Sequence, residues 1–333
     1  MVKVRDLGKL LESAMAAHQS GGYSDAAALY QKILLADPNH NDALHFFGLL
    51  KHESGESEQG LMLIERAISL APQSPQYLGN RAAILGQIGR LPEARKAYRK
   101  AITVAPENID LYLGMAKVLE EVDDNACAIA TLETARRLDP EHDQLCIDLA
   151  RLLSQTERAS EAVSILNEMI RRHPLLIDLK LQQGQLLLDL YRMDEAEEIY
   201  RSAVALDHCH PLPNYKLARC LAEKGQWAES IPSYKEAIRL KPDYAEAFLY
   251  LARAYQELGD LDLAIKTCEK AYRLRPAYRG DDILLGILLQ EAERFEEAVK
   301  EFEAAVDKHP DNIAVAALAQ CQLAAGNGEA ARK

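Results

Sequence analysis

Residues 75–108 have the sequence PQYLGNRAAILGQIGRLPEARKAYRKAITVAPEN, from which the fold can be predicted. Its last proline is Pro106, and that proline has counterparts at intervals of 34 residues in both directions. The series consists of Pro38, Pro72, Pro106, Pro140, Pro174, Pro242, Pro276 and Pro310. His208 occupies the one missing place, where Leu-Asp-His still matches the Ala-Asp-Pro of residues 36–38. Nine periods therefore run from Leu7 to Asn312 without an insertion, which indicates an internal repeat.

Small and large residues recur at fixed places within each period. With the proline numbered 32, position 8 is always Ala or Gly, position 20 is always Ala, Gly or Ser, and position 27 is Ala except at Ile33 and Met169. Position 24 is large and mostly apolar: Tyr30, Ile64, Tyr98, Leu132, Leu166, Tyr200, Tyr234, Cys268 and Phe302. Small residues let two helix backbones approach closely, and the large residue fills the space beside them. Glycine near position 15 separates the two helices and the proline ends the second, so each period predicts one antiparallel helix pair.

These features resemble the tetratricopeptide repeat (TPR) family over residues 7–312. The resemblance implies an all-α fold, a right-handed α-solenoid of antiparallel helix pairs with nine full repeats plus a C-terminal helix. The departures are Lys51 at the usually apolar position 11, Cys268 at position 24, and His208 for proline. The expected repeats are 7–40, 41–74, 75–108, 109–142, 143–176, 177–210, 211–244, 245–278 and 279–312.

A single helix pair cannot bury its apolar face alone, so the repeats are expected to stack into one array over residues 1–333. Residues 313–333 begin with a further helical stretch, IAVAALAQCQLAAG, which we interpret as a cap or a truncated tenth repeat. Terminal repeats usually carry a polar face, whereas this stretch is rich in Ala and Leu. It leaves open whether the chain is cut from a longer protein.

The composition argues against several classes of partner. Lys and Arg number 39 against 51 Asp and Glu, a net charge of -12, which disfavours nucleic acid and anionic membranes. No apolar run reaches the length of a membrane helix, and the N-terminus lacks the apolar segment of a signal peptide. The six cysteines form no CxxC pair, so neither zinc nor a redox site is expected. We therefore expect a cytoplasmic protein without cofactor, metal or membrane insertion.

No catalytic motif occurs: GxSxG, HExxH, GxxxxGK[ST] and GxGxxG are all absent, so the chain is not expected to be an enzyme. Three local features leave alternatives open. The run from Asp207 to His210 could chelate a metal or could be an ordinary repeat junction. Three histidines near the N-terminus could be functional, although we favour a role as polar lining of the groove. Four cations on the second helix of repeat three could also be functional, although we favour a solvated outer face. These residues are His18, His45, His52, Arg95, Lys96, Arg99 and Lys100.

The resemblance implies that positions 2, 5, 9, 12 and 13 of the first helices line a concave groove. Position 9 then carries cations in four of five successive repeats, position 5 is mainly apolar, and position 13 is acidic or amide. One interpretation is that the cations form i,i+4 salt bridges along their own helices, such as Lys117–Glu121. The other is that they hold the carboxylates of a bound segment. Arg151 favours the second interpretation, because Gln155 stands where its i+4 partner would be.

Two known binding modes of the family are not matched. The carboxylate clamp needs a Lys and Asn set, but the repeat before Asn80 has His45 and Leu49 at the required places. The position-6 asparagine ladder of glycosyltransferase superhelices is also missing. We expect a non-catalytic scaffold that binds a protein or peptide segment with acidic and apolar residues in the groove. The alternatives are the N-terminal targeting module of a larger bacterial transferase-type enzyme and a self-assembling array, a homo-oligomer through its end repeats. The predicted groove residues are Lys117, Arg151, Arg219, Arg253, Leu113, Ile147, Gln185, Tyr215, Leu249 and Asn80.

Overall fold

The structure, a computed structural model, describes residues 4–278, 283–308 and 312–326. Within these ranges the chain is all-α, with a short 3-10 turn at Pro276–Tyr278 and no β-strand. Residues 279–282 of the expected ninth repeat, 309–311 at its end and 327–333 of the expected terminal segment lie outside the described residues. The helices are α1 (Val4–Gln19), α2 (Tyr23–Ala36), α3 (Asn41–Glu53), α4 (Ser57–Leu70), α5 (Pro75–Gln87), α6 (Leu91–Val104), α7 (Ile109–Glu121), α8 (Asn125–Leu138), α9 (Asp143–Ser154), α10 (Ala159–Arg172), α11 (Ile177–Asp189), α12 (Met193–Leu206), α13 (Pro211–Glu223), α14 (Trp227–Leu240), α15 (Ala245–Glu257), α16 (Leu261–Leu274), α17 (Leu284–Glu291), α18 (Phe295–Lys308) and α19 (Asn312–Ala324).

The second helix of every repeat ends at position 30, two residues before the place of the proline. These last residues are Ala36, Leu70, Val104, Leu138, Arg172, Leu206, Leu240, Leu274 and Lys308. A proline disfavours helical geometry in the residue before it, so position 31 leaves the helix. The sixth repeat has His208 in place of the proline. Its second helix α12 nevertheless ends at Leu206, and Asp207 is extended. The predicted pairing of helices is confirmed.

In eight of the nine helix pairs that the structure describes, the residue at position 15 of the turn is left-handed; the exception is Glu157. Gly21, Gly55, Gly89, Gly225 and Gly259 have φ between 76° and 86°, as the sequence predicted for the break. In three further repeats Asp123, Tyr191 and Glu293 take φ of 57°, 58° and 60° at the same place. The turn geometry therefore persists where the glycine does not.

Close approach of the paired helices explains the small residues. A Cβ added to Gly60 would lie 2.5 Å from the backbone oxygen of Gly48, so α3 and α4 nearly touch. In the sixth repeat a Cβ added to Gly184, at position 8, would lie 2.5 Å from the ring of Tyr200, at position 24. Tyr200 is fully buried, as are most residues at position 24. This confirms the prediction that small residues let the paired helices approach closely while the large residue at position 24 fills the space beside them.

Among the described first helices, five begin at a side-chain cap from position 34. The side chains of Ser74 and Asn108 accept backbone N–H groups at the starts of α5 and α7. Histidine takes the same role at His40, His142 and His210, where the ring accepts an N–H through Nδ1. Such caps satisfy backbone donors that a helix start leaves open.

The chain divides into two compact units, residues 1–162 and 163–333. In the first unit, Tyr30, Ile33 and Phe47 belong to a core between α1, α2 and α3. In the second unit the core includes Tyr234 and Phe248. The expected single array over the whole chain stays a prediction. Among the described helices, none combines the length and the apolar character needed to cross a membrane.

Candidate peptide-binding surface

In the first unit the two predicted cations differ in their surroundings. Lys117 on α7 is exposed and forms no ion pair with any residue that the structure describes. Arg151 on α9 donates from Nη2 to Glu120 at 2.9 Å, and Asp148 lies 4.0 Å away. Arg151 lacks an acidic residue at i+4, but the preceding repeat supplies one. A partner segment would therefore have to compete with Glu120 for this guanidinium.

Two of the predicted apolar contacts in this unit are accessible. Leu113 and Ile147 are half-buried, and Leu113 packs against the buried side chains of Tyr112 and Leu145. Asn80 is less available, because its Nδ2 donates to Nε2 of His45 at 2.9 Å. Asn80 thus forms part of the contact between repeats two and three.

His45 is the centre of a buried polar cluster between α3 and α5. Its ring stacks on Tyr77 with centroids 4.6 Å apart, and the Tyr77 hydroxyl donates to Asp42. His45 is fully buried, and no described residue accepts or donates a hydrogen bond at its Nδ1. Burial lowers the pKa of His45 to about 4, against the opposing effect of the Asp42 charge. At neutral pH this histidine is an uncharged packing residue.

In the second unit two arginines share one aromatic ring. The guanidinium carbons of Arg219 and Arg253 lie 5.1 Å and 5.5 Å from the centroid of Tyr250, within the range of cation–π attraction. Arg219 also donates to Glu223 at 2.9 Å, the i,i+4 pair that the sequence suggested. Tyr250 is half-buried. The result is a positively charged aromatic surface on α13 and α15.

The other predicted residues of this unit are less open than the sequence suggested. Tyr215 and Leu249 are each only 7% exposed and belong to the core cluster. Gln185 donates to Asp189 at 3.1 Å and accepts from Lys216 at 2.8 Å. Burial, and then the charge of Arg219, lowers the pKa of Lys216. The apolar contact area on offer comes from half-buried side chains such as Tyr250.

Buried hydroxyl groups lie beneath this surface. Tyr200 and Tyr234 are fully buried, and their hydroxyls have no hydrogen-bond partner within the described part of the chain. Burial raises the pKa of both phenols. Tyr234 stacks on Tyr250 at 6.5 Å with nearly parallel rings. Tyr234 on the second helix α14 therefore supports the ring on which the two arginines lie.

Polar side chains also connect successive repeats in a regular way. Position 12 of one repeat bonds position 13 of the next, an offset of 35 residues. The three pairs are His18–Glu53 at 3.0 Å, His52–Gln87 at 2.5 Å and Gln256–Glu291 at 2.8 Å. Some of the acidic or amide side chains predicted at position 13 therefore already form hydrogen bonds with the preceding repeat. A comparison of the sequence at this offset would have indicated these pairs.

The run at residues 207–210 has a capping role. Asp207 accepts the backbone N–H of Cys209 at 2.8 Å, and His210 caps α13. Among the described residues, no group of three or more His, Cys, Asp or Glu side chains is placed to hold a metal ion. This geometry supports the repeat-junction interpretation.

Comparison with known proteins agrees with the helix pairs described above. TPR repeat and tetratricopeptide repeat family models match residues 47–109, 121–180, 219–259, 245–278 and 289–333. A TPR repeat-containing thioredoxin, TTL4 of Arabidopsis thaliana, is 39% identical over 61 residues, which are 18% of this chain and 9% of that protein. The chain therefore spans a small part of that relative.

A solved structure shows the same architecture. The C-terminal part of a TPR repeat-containing protein from Cytophaga hutchinsonii is similar over 74% of this chain and 99% of that chain, with a TM-score of 0.58 and 16% identity. Yeast Tom70 matches over 99% of this chain and 91% of that chain, with a TM-score of 0.47 and 16% identity. The 34-residue period, the paired helices and the family matches lead to one conclusion: the chain belongs to the tetratricopeptide repeat family.

Proposed function

We propose that this protein is a non-catalytic scaffold that binds a segment of a partner protein on the face formed by its first helices. Repeats of this family support protein interaction in general. The observation that carries the finer proposal is the stacking of Arg219 and Arg253 on the half-buried ring of Tyr250. A segment with acidic and apolar side chains would satisfy both the guanidinium groups and the ring.

The cations already form ion pairs within the protein, and this limits how much a partner carboxylate can gain by binding them. Arg219 donates to Glu223 and Arg151 donates to Glu120, so a partner carboxylate exchanges one ion pair for another. Exposed ion pairs contribute about 1 kcal/mol or less, so each exchange gains little by itself. The charges would mainly fix the register of the segment and speed encounter, while the half-buried ring of Tyr250 supplies affinity. Binding should weaken as salt is raised.

The test is a partner identified by cross-linking to the full-length protein and measured by titration calorimetry. Arg219→Ala combined with Arg253→Ala should weaken binding by about 1–2 kcal/mol, because two charge-assisted contacts are lost. Lys32→Ala combined with Lys266→Ala removes the same charge from exposed places on α2 and α16 and should leave affinity unchanged. Equal affinity in both double variants would contradict the proposed surface.

A further inference from the structure

A groove in the first unit lies away from the first-helix face. We propose that this α6–α8 groove docks a partner segment that presents a large apolar side chain beside a carboxylate. Its walls are Arg95 and Arg99 on α6 and Thr131 and Thr134 on α8, and its floor includes Tyr112 and Met115 on α7. The cavity has a volume of about 520 Å³, which is sufficient for an aromatic or branched side chain.

Arg95 is an exception within the repeat pattern. It occupies position 21, where seven of the nine repeats have an apolar residue: Ala27, Leu61, Ile129, Val163, Ile231, Ile265 and Val299. The other exception, Glu197, is neutralised by Lys224 at 2.6 Å. Arg95 has no comparable partner, because its Nη1 lies 3.6 Å from Asp124 and its buried Nε has no acceptor among the described residues. A buried N–H without an acceptor is unfavourable, so the Arg95 guanidinium would gain by turning towards an incoming carboxylate.

The charge around the groove favours an acidic partner. Arg95, Lys96, Arg99 and Lys100 place four cations on less than two turns of α6 in a chain of net charge -12. In the part of the chain that the structure describes, Lys96, Arg99 and Lys100 form no ion pair. At the start of the same helix, Arg90 is instead paired with Glu93 three residues later. A cluster of four cations with an ion pair at Arg95 alone attracts anionic segments.

The groove lining selects for an apolar side chain next to the carboxylate. The hydroxyls of Thr131 and Thr134 donate to their own helix at 2.7 Å and 2.8 Å, and the hydroxyl of Tyr112 donates to Pro106 at 2.8 Å. Their protons are therefore already used. The guanidinium groups of Arg95 and Arg99 remain as the strong donors at the rim, above a floor that offers methyl, thioether and ring surface.

The first experiment is a selection from a random 12-residue peptide display library. Peptides are kept when they bind the wild-type protein but not Thr131→Trp, which fills the cavity without changing the charge. We expect the selected peptides to share an Asp or Glu within one helical turn of a large apolar residue. An empty pool, or a pool without such a carboxylate, would overturn the proposal.

Matched variants then test the role of Arg95. Arg95→Ile installs a residue that other repeats carry at position 21, and it should weaken the selected peptides about tenfold. Lys96→Ala removes the same charge from a side chain outside the groove lining and should change affinity less than about twofold. The double variant of Arg219 and Arg253 should retain full affinity, which separates this site from the proposed first-helix face. Unchanged binding to Arg95→Ile would show the assignment to be wrong.

Two exposed cysteines provide a readout that needs no variant. Cys127 lies in the α8 wall, whereas Cys209 lies in the turn between α12 and α13. The hydrogen bond with Asp124 raises the pKa of the Cys127 thiol, so alkylation is measured at alkaline pH. A selected peptide should slow alkylation of Cys127 about fivefold or more and leave Cys209 unaffected. Equal rates of Cys127 alkylation with and without the peptide would contradict docking in this groove. If Arg95→Ile sediments as a smaller species than the wild-type protein, the occupant of the groove is a second copy of the chain instead.

Discussion

The contact between Gly48 and Gly60 makes a residue-scale prediction. Gly60→Ala should lower the free energy of unfolding by about 1–3 kcal/mol, because the new Cβ would meet the backbone of α3, which cannot rotate away. Alanine is otherwise favoured over glycine inside a helix by about 1 kcal/mol. Urea unfolding of the purified variant measures the change.

Gly8 provides the control for this prediction. It lies in α1, and a Cβ added there would meet no atom within 4 Å. Gly8→Ala should therefore raise the free energy of unfolding by up to about 1 kcal/mol through helix propensity alone. If both variants shift stability in the same direction, close helix contact is not the reason for the small residues.

Residue-scale prediction from the sequence succeeded where packing is local and failed where long side chains reach between repeats. Positions 8, 20 and 24 face each other within one helix pair, so their sizes must match. Arg151 was assigned no partner from its own helix, yet Glu120 lies within 2.9 Å from 31 residues earlier. Such a contact depends on the offset between neighbouring helices and on side-chain rotamers, which a periodic pattern does not specify.

At the scale of elements, the contact between α3 and α5 should weaken in mild acid. The pKa of His45 is depressed to about 4, so the folded state resists a proton that the unfolded chain accepts near pH 6.5. This contribution to stability is complete above pH 6.5 and is lost as the pH falls towards 4. Between pH 7 and pH 5 we expect a loss of about 2 kcal/mol, measured as a shift in urea midpoint.

His45→Gln is the matched variant for this effect. Glutamine keeps an acceptor for Asn80 but does not titrate in this range, so the shift between pH 7 and pH 5 should be much smaller. Carboxylates that titrate at lower pH contribute equally to both proteins. An identical acid shift in wild type and variant would mean that His45 is protonated in the folded state or does not titrate in this range.

Helix ends were the elements best predicted from the sequence. Proline and glycine act on their own backbone, so their effect does not depend on the rest of the fold. The sequence did not indicate that Tyr191 would hold a left-handed turn or that His142 would cap α9. At these two places the repeat imposes its geometry on residues that do not prefer it, and only the surrounding helices specify the outcome.

At the scale of the whole molecule, α19 packs against α18 and covers part of its apolar surface. Its buried face includes Ala314 and Cys321, while Ile313 and Leu323 are 67% and 56% exposed. Deletion of residues 313–333 should uncover the apolar flank of α18 and cause aggregation or a change in oligomeric state. Size-exclusion chromatography with light scattering measures the result.

Ile313→Lys combined with Leu323→Lys separates the two faces of this helix. These changes make the exposed face polar and leave the contact with α18 in place, so the variant should stay folded and at least as soluble as wild type. A truncated chain that remains an equally soluble monomer would show that the ninth repeat needs no cover.

The unbroken 34-residue register limits how such a chain can change length in evolution. Inserting one residue into a helix turns everything after it by about 100°, which would move buried side chains to the surface. Every second helix ends at the same position, so the turns offer little slack to absorb the error. Duplication or loss of a whole repeat leaves each interface between neighbours as it was. Relatives of this protein should therefore differ in length mainly by multiples of 34 residues.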